Sequence, residues 1–427
     1  MALPDLIEIE PWHNPIQACV TVPGSKSITN RALILAALAE GKTTLRGALW
    51  SEDTQVMCDC LQRLGFTLSI SSDPGEPSNR HIEVHGCGGR IPLAGTRENP
   101  LELFVGNAGT AARFLAAFVC LGNGFYRLHG IERMHSRPQA ALFEALRQLG
   151  YSIASASNKL PAVIEGTGPR NGLCSVQISE SSQFASALLL CGSRAGWTVQ
   201  ITGRNEGEMP YVEMTRRLIQ AFPANGGTFT IEPDASSASY FCAADWIARQ
   251  LPSLPGCVKI RDFPDSDWQI DAAFPRFLPP ITRVSRRTDL GDAIMTAIVL
   301  ATLGNAPAVF SDLEPLRLQE CERVAALRTE LTRCGAAIRE EGQSLIVTPG
   351  PTLHGAEIET YNDHRMAMCF AILGLKVPGI RIKNPGCVKK TFPNFFQKLA
   401  DRAENGGLGI RVSHAGRILT GHELISE

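Results

Sequence analysis

The stretch GSKSITNRALILAALAEG, Gly24 to Gly41, decides how the chain is read. A turn of small and polar residues opens directly into Ala, Leu and Ile with no polar face, which predicts a helix buried all round with only its N-terminus near solvent. The pattern returns five times: NAGTAARFLAAFVCLG from Asn107, SSQFASALLLCG from Ser181, SSASYFCAADWIA from Ser236, GDAIMTAIVLATLG from Gly291 and NDHRMAMCFAILGL from Asn362. Spacings of 55 to 83 residues are too long and irregular for a solenoid. Six related folding units are predicted instead. Between the apolar runs, 175–178, 197–201, 228–231 and 345–348 read as strands punctuated by Gly, Pro and Asn. Residues 54–64, 139–149, 212–222 and 319–334 carry apolar residues at helical spacing, so each unit mixes strands with an all-apolar and a striped helix. The class is α/β.

Helix N-termini leave backbone N–H groups unpaired and carry partial positive charge, so they receive phosphates and carboxylates. Several of the six are dressed for this: Lys26, Ser27 and Arg31; Asn107, Gly109 and Arg113; Ser181, Ser182 and Gln183; His364 and Arg365. Ordinary N-capping is enough to explain Ser236 or Asp363. It does not explain Lys26 with Arg31, or His364 with Arg365, because cations in these positions oppose the helix dipole and call for something anionic nearby.

The rest of the 427 residues sets bounds. Two or three domains fit the length, and 44% hydrophobic against 19% charged residues is the composition of a folded globular protein. A formal net charge of -1 argues against a surface built for nucleic acid, and the five Trp and five Tyr form no stacking platform among basic residues. Any anion site is local. Asp5, Glu8 and Glu10 break the order of a secretory signal, and runs such as 114–121 and 294–303 fall short of a membrane span. Thirteen cysteines without a CxxC pair fit a reduced, cytoplasmic protein, and the lone Cys58/Cys60 pair lacks the further ligands of a zinc site. Gly41-Lys42-Thr43 resembles the end of a phosphate-binding loop, but the required first glycine is Ala36. Gly86, Gly88 and Gly89 read as a turn, and neither GxSxG nor HExxH occurs.

At GSKSITNR, GNAGTAAR, SSQF, DASSASYF, ECER, YNDHRMAM and KTFP the chain resembles the 5-enolpyruvylshikimate 3-phosphate synthase family over nearly its whole length. The resemblance implies a two-domain fold of six βαβαββ units with buried parallel helices. One domain is placed at 23–233 and the other at 1–22 plus 234–427, with the active site in the cleft between them. It also implies joining of phosphoenolpyruvate to the 5-hydroxyl of shikimate 3-phosphate with release of phosphate. No metal or organic cofactor, no nucleic acid and no membrane is implied, and a monomer is expected.

By that resemblance Lys26, Asp292 and Glu320 are the catalytic residues. Lys26, Asn107, Gly109, Arg137, Gln183, Arg323, Arg365 and Lys390 surround phosphoenolpyruvate. Lys26, Ser27, Arg31, Ser181, Ser182, Gln183, Tyr211, Asp292 and Gln319 hold the shikimate partner, with His364 supporting. Four anionic groups held together require several fixed cations, and carboxylates among cations can move the protons the reaction needs. Read from the residues alone, Glu320 and Arg323 would instead be a surface ion pair on one helical face, of little energetic value.

The chain departs from the family at Glu208-Met209, where Ser-Lys is usual, at Gln319 for Lys and at Pro315 for Asn, which removes a hydroxyl contact and a cation on the acceptor side. Phe114 replaces a proline near Gly109, the glycine that gives the inhibitor glyphosate room, so altered glyphosate sensitivity is expected. Two rivals remain at this point. One is an enolpyruvyl transferase acting on a nucleotide or UDP-sugar, for which Cys120 in its apolar run is a poor match to a reactive loop cysteine. The other is a binding relative without turnover, against which the paired Asp292 and Glu320 speak.

Overall fold

The computed structural model describes residues 3–12, 16–203, 208–250, 256–278, 282–350 and 353–426. The chain divides into two compact units, Gly24–Glu232 and Met1–Pro23 joined with Pro233–Glu427.

The unit Gly24–Glu232 contains helices α1 (Lys26–Leu38), α2 (Glu52–Arg63), α3 (Gly109–Phe118), α4 (Glu132–Ser136), α5 (Ala140–Gln148), α6 (Gln183–Ala195) and α7 (Met209–Ala221). The apolar helices α1, α3 and α6 pack on one another. Every residue of α3 is buried, and α1 is buried from Ile28 onward, as the missing polar face requires. Arg31 on α1 donates to Ser186 in the first turn of α6, and Gln183 at the start of α6 donates to Thr110 at the start of α3. The three N-terminal ends therefore lie on the same side. The striped helices α2, α5 and α7 each bury one face, Met57, Cys58 and Leu61 on α2 for example.

Two four-stranded sheets share one plan. Gly227–Thr230 pairs in parallel with Glu40–Leu49, followed antiparallel by Asn79–Cys87 and Thr67–Ser72; Leu101–Phe104 pairs in parallel with Asn123–His129, followed antiparallel by Ala162–Thr167 and Ser152–Ala154. Leu101–Phe104 and Asn123–His129 are joined across α3, whereas Gly227–Thr230 reaches Glu40–Leu49 from the far end of the unit; in both sheets the last two strands form a hairpin. The third copy keeps only the parallel pair Gly172–Gln177 and Trp197–Thr202, because the strand after α7 is drawn into the first copy's sheet.

The unit Met1–Pro23 with Pro233–Glu427 holds α8 (Ala235–Arg249), α9 (Ile294–Ala301), α10 (Arg323–Arg333), α11 (His364–Gly374) and α12 (Phe395–Ala400). Here α8, α9 and α11 form the buried trio, tied near their starts by Ser239 to Thr296 at 2.9 Å and Arg365 to Ser236 at 2.5 Å. A four-stranded sheet in the order Arg283–Ser285, Ala308–Ser311, Ser344–Thr348, Ala337–Glu341 repeats the plan of the other unit. A five-stranded sheet inserts Leu6–Ile9 between Ile380–Lys383 and Val412–His414. The remaining pair is Gln17–Val20 with Cys257–Ile260.

The mixed α/β class is as predicted, but two of the six copies are reduced to a strand pair among the described residues. The striped helix expected over 319–334 also starts later, at Arg323. Glu322 caps it by accepting from the Ala325 N–H, which leaves Gln319 and Glu320 in the preceding segment.

One contact recurs between hairpin and apolar helix. A Cβ on Gly86 would lie 2.3 Å from the Ala39 carbonyl oxygen and 2.4 Å from that of Ala36, at the end of α1. A Cβ on Gly166 would lie 2.4 Å from the Val119 carbonyl oxygen, just past α3. Backbone meets backbone, so neither site can yield by a rotamer change. Gly86→Ala is expected to lower stability by about 2 to 3 kcal/mol in urea unfolding. Wild-type stability in the variant would show that the hairpin can lift away from α1.

Candidate functional site

The predicted site residues fall into two clusters, one in each unit. In Gly24–Glu232, Lys26 is the first residue of α1, and its Nζ donates to Asp53 Oδ2 at 3.1 Å. Asp53 is buried in the first turn of α2, where the helix dipole favours a carboxylate. The anionic partner called for by a cation at a helix start is thus supplied by the chain itself.

Arg31 is buried, yet among the described residues it makes no ion pair. Its Nε donates to Thr215 Oγ1 at 2.8 Å, Nη1 to the Ser27 carbonyl at 2.9 Å, and Nη2 to Ser186 Oγ at 3.1 Å and the Tyr211 carbonyl at 3.4 Å. The Phe114 ring lies 5.3 Å from the guanidinium carbon. Burial pulls Arg31 down to about 10, with Tyr211 opposing, so it stays charged at neutral pH.

The start of α3 gathers two more guanidiniums. Arg137 donates to the Asn107 carbonyl at 3.2 Å; Arg113 donates to the Gly109 carbonyl at 3.1 Å and the Pro138 carbonyl at 2.8 Å. A Cβ on Gly109 would sit 2.6 Å from Arg137 Nη2 and 2.7 Å from Arg113 Nη1, so glycine is what lets both cations approach the helix start. Burial, reinforced by Arg137, pushes Arg113 well below the usual arginine range. Neither arginine makes a close ion pair among the described residues, although the Glu180 charge partly opposes the lowering of Arg113. Asn107 Oδ1 and Gln183 Oε1 are buried with no hydrogen-bond partner, and a flip of either amide presents its NH2 group there instead. Two cations, with an amide oxygen of Asn107 and of Gln183 left over although Gln183 Nε2 donates to Thr110, are suited to an oxyanion. Ser181 and Ser182 stand at the start of α6, where Ser181 Oγ accepts from the Gln183 N–H at 3.2 Å.

The second cluster, in the other unit, is neutralised from within. Asp292 lies two residues before α9. Its Oδ2 is 3.2 Å from Arg365 Nη2 and 3.7 Å from Arg323 Nη1; its Oδ1 is 3.2 Å from Arg286 Nη2 and 3.4 Å from Gln319 Nε2. Burial works to raise the Asp292 carboxyl, but Arg365, Arg286 and Arg323 together hold it well below the usual carboxylate range. Glu320 bridges Arg323 Nη2 at 2.7 Å and Lys390 Nζ at 3.2 Å. Arg323 also pairs with Asp363 at 2.7 Å, and Gln319 Oε1 accepts from its Nη1. Asp363 caps α11 through the Arg365 N–H at 2.9 Å, and buried His364 has Nδ1 3.8 Å from Asp363.

The Glu320–Arg323 pair is therefore no exposed pair on one helical face. Arg323 is 1% exposed, and Glu320 reaches it from outside α10. Arg286, 2% exposed and in the loop after Arg283–Ser285, adds a cation 3.2 Å from Asp292, beside the neutral Gln319. No motif covers Arg286, Asp53, Thr215 or Asp271, and Ser186 lies within the apolar run from Ser181 without any sign of its role. Asp363 and Ser236 stood inside quoted motifs but read as caps alone.

The family model described as EPSP synthase (3-phosphoshikimate 1-carboxyvinyltransferase) matches residues 12–274 and 285–399. The chain belongs to the EPSP synthase family. A 3-phosphoshikimate 1-carboxyvinyltransferase of Nostoc punctiforme is 35% identical over 94% of this chain and 100% of the relative, and one of Opitutus terrae is 38% identical over 94% and 98%. The EPSP synthase structure from Acinetobacter baumannii superposes with TM-score 0.75 at 21% identity, covering 96% of this chain and 100% of that one. The enolpyruvyl transferase NikO from Streptomyces tendae gives 0.68 at 16% identity, covering 96% and 99%. These two establish the shared fold. Among the described residues of this EPSP synthase family member, no helix is long and apolar enough to cross a membrane.

Asp271 offers a test of the electrostatics. It is buried and accepts from the Gly291 and Ala293 N–H groups at 2.7 and 3.1 Å; burial, then the Asp292 charge, push its carboxyl up to about 6. A carboxyl raised in the folded state makes a contribution that is complete below its unfolded value near ~4 and lost as pH rises through about 6. Asp271→Asn keeps an acceptor oxygen, so the variant should gain stability relative to wild type between pH 4 and 7, by up to roughly 3 kcal/mol. Parallel melting-temperature profiles over that range would contradict the assignment.

Proposed function

We propose that the chain transfers the enolpyruvyl group of phosphoenolpyruvate to the 5-hydroxyl of shikimate 3-phosphate and releases inorganic phosphate. The observation that carries this reading is Asp292 and Glu320 set among Arg286, Arg323, Arg365 and Lys390, two carboxylates interleaved with four cations. Such a cluster can accept the donor's anionic groups and move protons beside them.

Phosphoenolpyruvate is held by Lys26, Asn107, Gly109, Arg137, Gln183, Arg323, Arg365 and Lys390. The acceptor is held by Lys26, Ser27, Arg31, Ser181, Ser182, Gln183, Tyr211, Asp292 and Gln319. Before substrate arrives Asp292 is a weak base, because three guanidiniums stabilise its charge. As the phosphate and carboxylate of phosphoenolpyruvate draw on Arg323 and Arg365, that stabilisation falls and Asp292 gains basicity. It then takes the proton of the 5-hydroxyl while the hydroxyl oxygen bonds to C2 of the enol. As the substrate anions draw Arg323 and Lys390 away from it, Glu320 takes up a proton from solvent and delivers it to the methylene carbon, which completes a tetrahedral adduct. The C–O bond to phosphate then breaks while Glu320 takes back a proton from the new methyl group and Asp292 passes the hydroxyl proton to the leaving phosphate, which restores the double bond. Lys26 is the third proton-transfer group and a charge partner for the leaving phosphate, and His364 supports Arg365.

A phosphate-release assay with phosphoenolpyruvate and a panel of hydroxyl acceptors, led by shikimate 3-phosphate, tests the reading directly. Release with a nucleotide or UDP-sugar alone would replace it. Asp292→Asn and Glu320→Gln should each lower turnover by ~10² to 10³ while both substrates still bind, and Lys26→Ala should harm binding and turnover together. Wild-type phosphate release by Glu320→Gln would remove that residue from the mechanism. Glyphosate gives a further check, because Phe114 lies five residues beyond Gly109 on α3 and supports Arg31. Phe114→Pro should change the inhibition constant, and an unchanged constant would separate Phe114 from inhibitor sensitivity.

A further inference from the structure

The start of α6 carries a carboxylate of the chain's own. Glu208, immediately before α7 and 8% exposed, accepts from the Ser182 backbone N–H at 2.9 Å and from Ser182 Oγ–H at 2.5 Å, both on Oε2. Ser182 is itself 3% exposed. A short hydroxyl–carboxylate bond and a helix-terminal N–H on one oxygen make a charge-assisted pair, aided by the positive end of a 13-residue helix. The segment before Pro210-Tyr211 thus reaches over to α6 through its acidic residue.

We infer that Glu208 determines specificity at the acceptor subsite: its carboxylate occupies the place at Ser182 where an acceptor's phosphate would be received. This rests on the reading of Ser181 and Ser182 as acceptor-holding residues. The two Ser182 donors have one proton each, and a phosphate oxygen that takes them must displace Glu208 Oε2. Once displaced, Glu208 is still tethered beside α7, and a second anion close to the first is disfavoured in a buried setting. The penalty falls on the phosphate and spares the acceptor's ring hydroxyls. It also spares the start of α3, where Arg113 and Arg137 are held by backbone carbonyls. The wild-type protein should therefore prefer a phosphorylated acceptor over its unphosphorylated counterpart only weakly.

Titration calorimetry of shikimate 3-phosphate and shikimate against the full chain gives two dissociation constants and their ratio, the phosphate preference. Glu208→Gln keeps the size and an acceptor oxygen but removes the charge; Glu208→Ser frees Ser182 altogether. In both variants the phosphate preference should rise on the order of tenfold or more. A ratio that stays level or falls in the folded variants overturns the inference. A wild-type preference already above about 10³-fold also overturns it, and that measurement needs no variant. Phosphate release by wild type with both substrates is scored separately. If release is absent while the preference rises as expected, the reaction assignment fails and the role of Glu208 stands.

Discussion

The ion pair between Arg323 and Asp363, 2.7 Å apart with side chains 1% and 0% exposed, is the constraint on which the second cluster is built. Taking two charges out of water costs several kcal/mol per ion, and only close geometry with further hydrogen bonds offsets it. Both residues supply such bonds. Asp363 caps α11 and fixes Arg365 at its start, while Arg323 opens α10 and holds Glu320 and Gln319 in the segment before it. Glu320 in turn holds Lys390, and Arg365 holds Asp292. Removing either partner of the buried pair would leave an uncompensated charge and loosen both acidic side chains.

The two units solve the same electrostatic problem in opposite ways. In Gly24–Glu232 the arginines at the apolar helix starts are held by carbonyls, hydroxyls and an aromatic ring, and Arg31, Arg113 and Arg137 make no ion pair among the described residues, with Glu180 acting on Arg113 only from further off. Arginine cannot shed its proton at neutral pH, so the charge persists and favours an incoming anion. In the other unit the arginines are already neutralised by Asp292, Glu320 and Asp363, and an incoming anion would have to share them. Sharing of that kind is how ligand charge can alter the basicity of a carboxylate without any large movement of the backbone.

Much of this was legible in the sequence. The absence of a polar face in the Ala/Leu runs dictated the buried trios, and a cation at a helix start signalled a need for negative charge. What supplied that charge was not legible: Asp53 lies on the next helix and Asp363 looked like an ordinary cap, because partnership across elements leaves no periodic trace. The start of α10 was misplaced because Gln319 and Glu320 fit the helical stripe, and only the Glu322 cap breaks it. The two reduced copies were hidden for a similar reason, since strand exchange between sheets changes pairing and leaves the local pattern untouched. Arg286 carried no signal at all, standing in a loop with unremarkable neighbours.

The placement of Leu6–Ile9 between Ile380–Lys383 and Val412–His414 has a kinetic corollary. Leu6–Ile9 cannot gain either hydrogen-bonded neighbour until Ile380–Lys383 or Val412–His414 has left the ribosome, a delay on the order of tens of seconds at ordinary rates of synthesis. Gly24–Glu232 draws its sheets from its own residues and can condense during that interval. The other unit must close the loop from Leu6–Ile9 to Ile380–Lys383, which makes it the slower one to mature.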